Sequence, residues 1–358
     1  MDKRKGLSDV KMTEKYKVHV LLDLRDQYGD PIPGFEPLLE DDDIEVTYAK
    51  PRQYDTLSPE DLEGANAAIS MVDEITDSSL QGVDTLEFVV RTGAGFENLD
   101  VSALTDHGIV AAHAPQGPTE SVAQSTVGML ITCAHNLRKF DHLVRTDPEE
   151  AVLNRADYMG HELQNQSLGI IGMGQIGKRV VELVDPFGID IQVYDPYLPS
   201  EEAAQLGVRL VKRDELLQTA DYISLHVPLT DETRNMLGEE EFKLMKESAC
   251  LLNTSRGGLY EDKVLARALR EGWIGGAAID VFEDEPFIKD NPLREIDNAL
   301  LTPHISGITH EAMERIMSIS AQGVLAMKDG KLPENIINPE VIEGAVPDNK
   351  LSPAYIPE

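Results

Sequence analysis

The 358-residue sequence predicts an α/β protein built from two doubly wound parallel sheets, and three observations carry that prediction. Apolar runs of strand length alternate with helix-length segments in two separate stretches, one ending near residue 115 and the other running from Ser167 to about Thr302, which is the pattern strand–crossover–strand units leave in a sequence. A glycine signature, Gly172-Met173-Gly174-Gln175-Ile176-Gly177, lies directly between an apolar run and a helical one. It also arrives late. A complete α/β stretch precedes it and a single long helix follows, so the second unit is expected to be inserted into the first.

In the first stretch, Val18 to Leu22 and the alternating Ile44 to Tyr48 read as strands, with a Gly/Pro-rich loop (28–34) and a short helix (35–40) between them. Ser58-Pro59-Glu60-Asp61 supplies a cap, a proline at the first helical position and early acids, so a helix starts there. Ala67 to Val72 and Leu86 to Val90 read as further buried strands. One long helix is expected from Pro118 through Arg145, then a loosely patterned segment up to Gln166, then the second unit from Ser167. After it, 310–330 reads as one helix, and Pro333 and Pro339 bracket an extended stretch.

Composition excludes several classes. The net charge of −32 disfavours nucleic acid and anionic membrane as partners, because phosphate recognition needs a basic face. The acids are dispersed, and a salt-loving host is the expectation. There is no 18-residue apolar run and no apolar core of a secretory signal, so a cytoplasmic location is expected. Cys133 and Cys250 have no neighbours at metal-ligand spacing and read as reduced, buried thiols; no metal site is expected.

The glycine signature has the context that gives it meaning. Leu168-Gly169-Ile170-Ile171 leads in, 178–188 leads out as a helix, and the next strand ends in Asp195, 18 residues past Gly177. Gly172 permits the tight turn, Gly174 lets backbone N–H groups approach a pyrophosphate, and Gly177 lets helix and strand pack closely. Asp195 would accept from the adenine ribose hydroxyls and repel a 2′-phosphate. No arginine follows it in 196–198, so NAD is expected over NADP. The unit thus reads as a Rossmann domain inserted into a flavodoxin-like one.

Three further segments place polar residues at the ends of apolar strands, where open α/β sheets bind ligands: 249–258, 275–286 and 299–307. They bring a guanidinium, Arg256, that can clamp a carboxylate and polarise an adjacent carbonyl. They bring an imidazole, His304, that can deliver a proton to a forming alkoxide. Glu285 can hold that imidazole and stabilise the imidazolium. Asp280 could contact a nicotinamide amide. Alone, each has an ordinary structural explanation; together, after a cofactor motif, they point to carbonyl reduction beside a carboxylate.

At these residues the chain resembles the D-isomer-specific 2-hydroxyacid dehydrogenases, a family that includes phosphoglycerate dehydrogenases, glyoxylate/hydroxypyruvate reductases and C-terminal-binding corepressors. The likeness spans roughly 15–342 and includes VRTGAGFENLD (90–100), ISLHVPLTDETRNML (223–237), LLNTSRGGLYED (251–262), GGAAIDVFEDEP (275–286) and LLTPHISG (300–307). It implies Arg256, Glu285 and His304 as the catalytic trio, and Gly93 and Ala94 backbone N–H groups with Arg91 as the substrate-carboxylate cradle. It implies Thr126, Gln175, Ile176, Asp195, Val227, Pro228, Thr233, Thr254, Asp280 and Gly307 as NAD contacts beside the glycines.

It further implies a substrate domain of 1–116 and 305–342, an NAD domain of 117–304 with a crossing and dimerisation helix at 118–147, a loose tail at 343–358, a homodimer, and hinge closure near 116 and 304. The chain departs from the family at Pro118-Thr119 and Ala123-Gln124, where packing or interface would differ, and with the sequence stopping near residue 358 serine feedback through a regulatory domain is not expected. The implied activity is reversible hydride transfer at carbon 2 of a small 2-hydroxy or 2-keto acid such as glyoxylate, hydroxypyruvate or 3-phosphoglycerate. The competing reading is an NAD-sensing scaffold that binds NADH and turns over slowly.

Overall fold

Two all-parallel sheets organise the computed structural model of the chain, which describes residues 14–21, 25, 29–49, 55–153, 155–285 and 289–344. Leu22 and the tail from Ala345 lie outside the described residues. The chain divides into two compact units, one taking the chain up to Gly117 and again from Met313, the other Pro118–Ala312. The return to unit 1 was expected at residue 305. It comes later because 305–309 are tied into unit 2: Ile305 and Ser306 N–H groups donate to the Asp280 carboxylate, and Ser121 Oγ pairs with Thr309 Oγ1 at 2.7 Å.

Unit 1 runs β1 (Tyr16–Val20), α1 (Glu36–Leu39), β2 (Ile44–Tyr48), α2 (Pro59–Leu62), β3 (Ala67–Ser70), α3 (Asp77–Leu80), β4 (Phe88–Arg91), α4 (Val101–Asp106) and β5 (Val110–His113). The sheet order is β2-β1-β3-β4-β5, the flavodoxin-like order. Helix α2 starts where its sequence asks it to, with Ser58 and Asp61 closing a capping box. One sheet face packs Leu62, Leu80 and Leu104 on Ala68 and Val89. The other is covered by Met313, Ile316, Met317, Val324 and Met327 of the returning helix α13 (His310–Lys328), over Val18, Ile69 and Phe88. Each such side chain buried contributes about 1.5–3 kcal/mol, enough to bring the C-terminal helix back to this sheet. Beyond it, Ile336 bridges Ala112 antiparallel and buried Asn338 accepts from Ala111 N–H at 2.8 Å, so the 333–339 stretch is extended along β5. A short helix, α14 (Glu340–Gly344), then takes up the first two residues of the expected tail.

Unit 2 opens with α5 (Thr119–Ala134), α6 (Leu137–Thr146) and α7 (Pro148–Leu153). The single long helix expected over 118–147 is therefore broken. Asn136 adopts a left-handed backbone, φ 51°, and the Ala134 carbonyl accepts from His161 N–H at 2.7 Å rather than continuing the helix. Asparagine tolerates that conformation, and a returning segment satisfies the freed groups. Then follow β6 (Ser167–Ile171), α8 (Gln175–Val184), β7 (Asp190–Tyr194), α9 (Ser200–Gln205), β8 (Arg209–Leu210), α10 (Arg213–Thr219), β9 (Tyr222–Leu225), α11 (Glu239–Leu244), β10 (Cys250–Asn253), α12 (Asp262–Arg270), β11 (Gly276–Ile279) and β12 (Ala299–Leu301). The order β12-β11-β10-β9-β6-β7-β8 reverses direction at β6/β9, the crevice where doubly wound sheets take ligands. Strands β6, β9 and β10 are buried along their whole length, as parallel strands covered on both faces must be.

Candidate active site

The loop from β6 to α8 carries the signature glycines, and each has its own geometry. Gly172 sits at φ 93°, and a Cβ there would lie 2.5 Å from the His226 carbonyl oxygen. A Cβ on Gly177 would overlap the Gly172 carbonyl oxygen. Gly174, the residue before α8, has nothing within 4 Å of a Cβ, and no side chain caps the helix. A phosphate approaching the start of α8 would therefore meet no side chain at Gly174 and would have the favourable end of the helix dipole before it. Asp195 follows β7 on the neighbouring strand, where its carboxylate accepts from Met173 N–H and Tyr197 N–H, both at 2.8 Å. The residues present therefore fit NAD.

Behind this loop, His226 holds Ser224 Oγ at 2.8 Å through Nε2. Burial pushes the His226 ring down to about 4, so it is neutral near pH 7.

The loop after β12 presents His304. Its Nδ1 lies 2.7 Å from Glu285 Oε2, and its side chain is 48% exposed. Glu285 Oε1 accepts from Phe282 N–H at 3.1 Å, which fixes the carboxylate between backbone and imidazole. Asp280, fully buried at the end of β11, sets the turn. Its carboxylate accepts from Thr302 Oγ1 at 2.5 Å and from Ile305 and Ser306 N–H groups at 2.9 Å. Asp280, expected to touch nicotinamide, has its carboxylate committed to shaping the His304 loop.

Arg256 stands on the turn after β10. Asn253 shapes that turn: Oδ1 accepts from Ser255 N–H at 3.0 Å and Ser255 Oγ at 2.9 Å, while Nδ2 donates to the Arg256 carbonyl at 2.8 Å and to the buried Tyr260 hydroxyl at 3.1 Å. Sequence reasoning assigned Asn253 no role; its place at the carboxyl end of a buried strand was the available signal. The Arg256 guanidinium contacts the Ser255 carbonyl at 2.6 Å. A Cβ on Gly257 would overlap the Phe282 carbonyl oxygen, so the Arg256 turn is pressed against the segment leading to Glu285.

The remaining expected NAD contacts vary. Thr126 and Thr254 hydroxyls pair with each other at 2.8 Å, both buried, and Thr126 also donates to the Val122 carbonyl. Ile176 and Val227 pack against the two core faces of unit 2. Thr233 Oγ1 donates to the Pro228 carbonyl at 2.6 Å and accepts from Thr230 N–H, closing the 228–233 loop on itself. Gln175 heads α8 beside Thr119, and a Cβ on Gly307 would approach Pro118.

In unit 1, Arg91, Gly93 and Ala94 end β4 and begin the following loop. Gly93 takes φ 109°, and the Arg91 guanidinium bonds the Thr92 carbonyl beside it. His113, a residue the sequence did not single out, holds the Ala94 carbonyl through Nδ1 at 2.8 Å; burial lowers its proton affinity. Among the described residues no helix is long and apolar enough to cross a membrane.

A dinucleotide loop and an acid–base pair on one parallel sheet define the class, a nicotinamide-dependent oxidoreductase. Comparison with known proteins names the family. Residues 127–306 match the NAD-binding domain of the D-isomer specific 2-hydroxyacid dehydrogenases. The D-3-phosphoglycerate dehydrogenase of Methanocaldococcus jannaschii is 40% identical over 266 residues, 74% of this chain; the chain spans about half the length of that relative. The glyoxylate reductase of Korarchaeum cryptofilum is 35% identical over 285 residues, 79% of this chain and 86% of the relative. The crystal structure of Aquifex aeolicus D-lactate dehydrogenase with NAD and lactic acid superposes with a TM-score of 0.76 at 29% identity, covering 92% of this chain and 98% of that one. The chain belongs to the D-isomer specific 2-hydroxyacid dehydrogenase family, whose members are NAD-dependent oxidoreductases.

Proposed function

We propose that the chain reduces a small 2-keto acid, of the size of glyoxylate or hydroxypyruvate, and reversibly oxidises the D-2-hydroxy acid. Oxidation of 3-phosphoglycerate is the same chemistry on a longer substrate. The observation that carries this reading is the His304 Nδ1–Glu285 Oε2 pair at 2.7 Å on a half-exposed imidazole.

The 172–177 loop, the start of α8 and Asp195 would hold the dinucleotide, which when bound would supply the hydride for carbon 2 as NADH or accept it as NAD. Arg256 holds the substrate carboxylate and polarises the carbonyl. Gly93 and Ala94 N–H groups, with Arg91, are further donors proposed for a substrate carboxylate. With Nδ1–H donated to Glu285, His304 gives the Nε2 proton to the carbonyl oxygen as charge builds there, and Glu285 stabilises the imidazolium. In oxidation the same nitrogen accepts the hydroxyl proton.

A homodimer is proposed through α6, α7 and the segment after them. Val144, Val152, Leu153 and Met159 are 64–77% exposed there, and a second copy of the chain would cover them.

The test is NADH consumption with glyoxylate, hydroxypyruvate and pyruvate, at low and molar KCl, and 3-phosphoglycerate with NAD in reverse. Arg256→Ala and His304→Ala should each lose at least two to three decades of turnover, roughly 3–4 kcal/mol of barrier. Near-normal turnover in either variant sinks the assignment. NADH binding without turnover on any substrate replaces the enzyme with an NAD-sensing scaffold.

A further inference from the structure

We propose that Asp262 is a positioning residue for this site: its carboxylate grips the chain on both sides of Glu285 and thereby holds the group that braces His304. The proposal rests on the acid–base reading above and extends it to a residue on another element.

Asp262 opens α12, where an acid is unremarkable if it faces water. This one is 4% exposed. Its Oδ2 accepts from Asn291 Nδ2 at 2.6 Å and from Glu283 N–H at 3.2 Å, while its own N–H donates to Glu283 Oε2 at 3.3 Å. Its Oδ1 is buried with no hydrogen-bond partner. Burying a carboxylate with one oxygen unsatisfied costs stability that a solvated helix-start acid avoids. What the placement provides is a two-point attachment to the polypeptide that carries Glu285.

The linkage to His304 is short. Glu283 follows Phe282, whose N–H holds Glu285 Oε1 at 3.1 Å, and Glu285 Oε2 holds His304 Nδ1 at 2.7 Å. From the other side the same backbone meets the Arg256 turn, since a Cβ on Gly257 would overlap the Phe282 carbonyl oxygen and lie 2.8 Å from Glu283 N. Asp262 thus fixes the height of the 282–285 segment against that turn. The groups facing its carboxylate are Asn291, Glu283 and Asp284. Burial first, then the two acids, raise its proton affinity against the Asn291 bond.

The experiment compares Asp262→Ala, Asp262→Asn and Asn291→Ala in the NADH-bound protein. Asp262→Ala should lower kcat by about 10- to 100-fold, as small misplacements of acid–base groups do, with NADH affinity unchanged and the pH profile of kcat/KM altered. Asp262→Asn keeps an acceptor oxygen in place and should recover kcat and profile to within a few-fold. Asn291→Ala should act in the direction of Asp262→Ala and supplies the reading if that variant does not fold. A lowered melting temperature with wild-type kcat and pH profile in the Ala variants overturns the proposal, as does an Asp262→Asn variant no better than Ala.

If the wild type turns over no keto acid, the functional reading fails separately. The clamp is then read from the His304 imidazole NMR signal, identified by its loss in His304→Ala. It should move in Asp262→Ala and return in Asp262→Asn; an unmoved signal overturns the clamp.

Discussion

The His304 N–H donates to the Asp280 carbonyl at 2.7 Å, and His304 makes that contact from a left-handed backbone, φ 53°. A histidine at positive φ is uncommon and persists where its surroundings over-determine it. Here one residue supplies them: Asp280 receives the His304 N–H on its backbone and the next two N–H groups and Thr302 on its carboxylate. Asp280→Ala would leave buried donors without an acceptor. It should cost about 3 kcal/mol in urea unfolding and lower kcat with it. Asp280→Asn, which keeps one acceptor oxygen, should lose less of both. An Ala variant as stable as wild type would refute this account of the turn.

Two glycines separate folding from cofactor binding. Gly257→Ala forces a Cβ into the Phe282 carbonyl oxygen, so the Arg256 turn and the Glu285 segment must part. Both the melting temperature and kcat should fall. Gly174→Ala meets nothing within 4 Å, so the fold should melt as wild type does. The added methyl would stand where backbone approaches the pyrophosphate, and NADH affinity should weaken by about tenfold or more. Calorimetry and NADH titration distinguish the two. Wild-type NADH affinity in Gly174→Ala would remove the pyrophosphate from this loop.

The parallel sheets, the glycine loop and the strand-end polar residues were legible in the sequence because each is written locally: alternating apolar runs, a fixed glycine spacing, a charge after a buried strand. What escaped depends on distant partners. The break at Asn136 needs the Ala134 carbonyl to find His161, 27 positions on. Asn253 reads as one more polar residue until its four bonds around Arg256 are seen. Asp262 looks like a routine helix-start acid, and only the fold shows it buried against Glu283 and Asn291. Thr126 and Thr254 lie 128 positions apart and bond to each other.

His226 should make the fold acid-sensitive in a defined window. Its ring protonates near 6.5 when unfolded and only near 4 when folded, because burial disfavours the charged form. Between those values the unfolded chain binds more protons, so stability falls as pH drops from about 6.5 toward 4, by at most about 3 kcal/mol. Asp221 acts lower. Burial raises its carboxyl, but bonds from Lys246 and Ser167 outweigh that and hold it below its ordinary value, so its contribution is lost on further acidification. His226→Gln cannot take the proton, and its amide can still reach Ser224. Relative to wild type, it should gain stability as pH falls from 7 to 4.5 in urea titrations. A wild-type–variant difference independent of pH would rule His226 out as the sensor.

Salt should act on the whole surface. With a net charge of −32, acidic groups repel one another across the molecule, and that repulsion favours the expanded chain. Its range is about 30 Å at 0.01 M salt and about 3 Å at 1 M. Exposed pairs such as Arg145–Asp141 at 2.8 Å are weakened by the same screening, but fully solvated pairs of this kind contribute little to stability. The long-range repulsion therefore decides the sign, and the melting temperature should rise from low to molar KCl, with turnover following wherever low salt leaves part of the chain unfolded. Equal melting temperatures and activities at both salt levels would mean that the acidic surface is tolerated without salt, and the expectation of a salt-loving host would go with it.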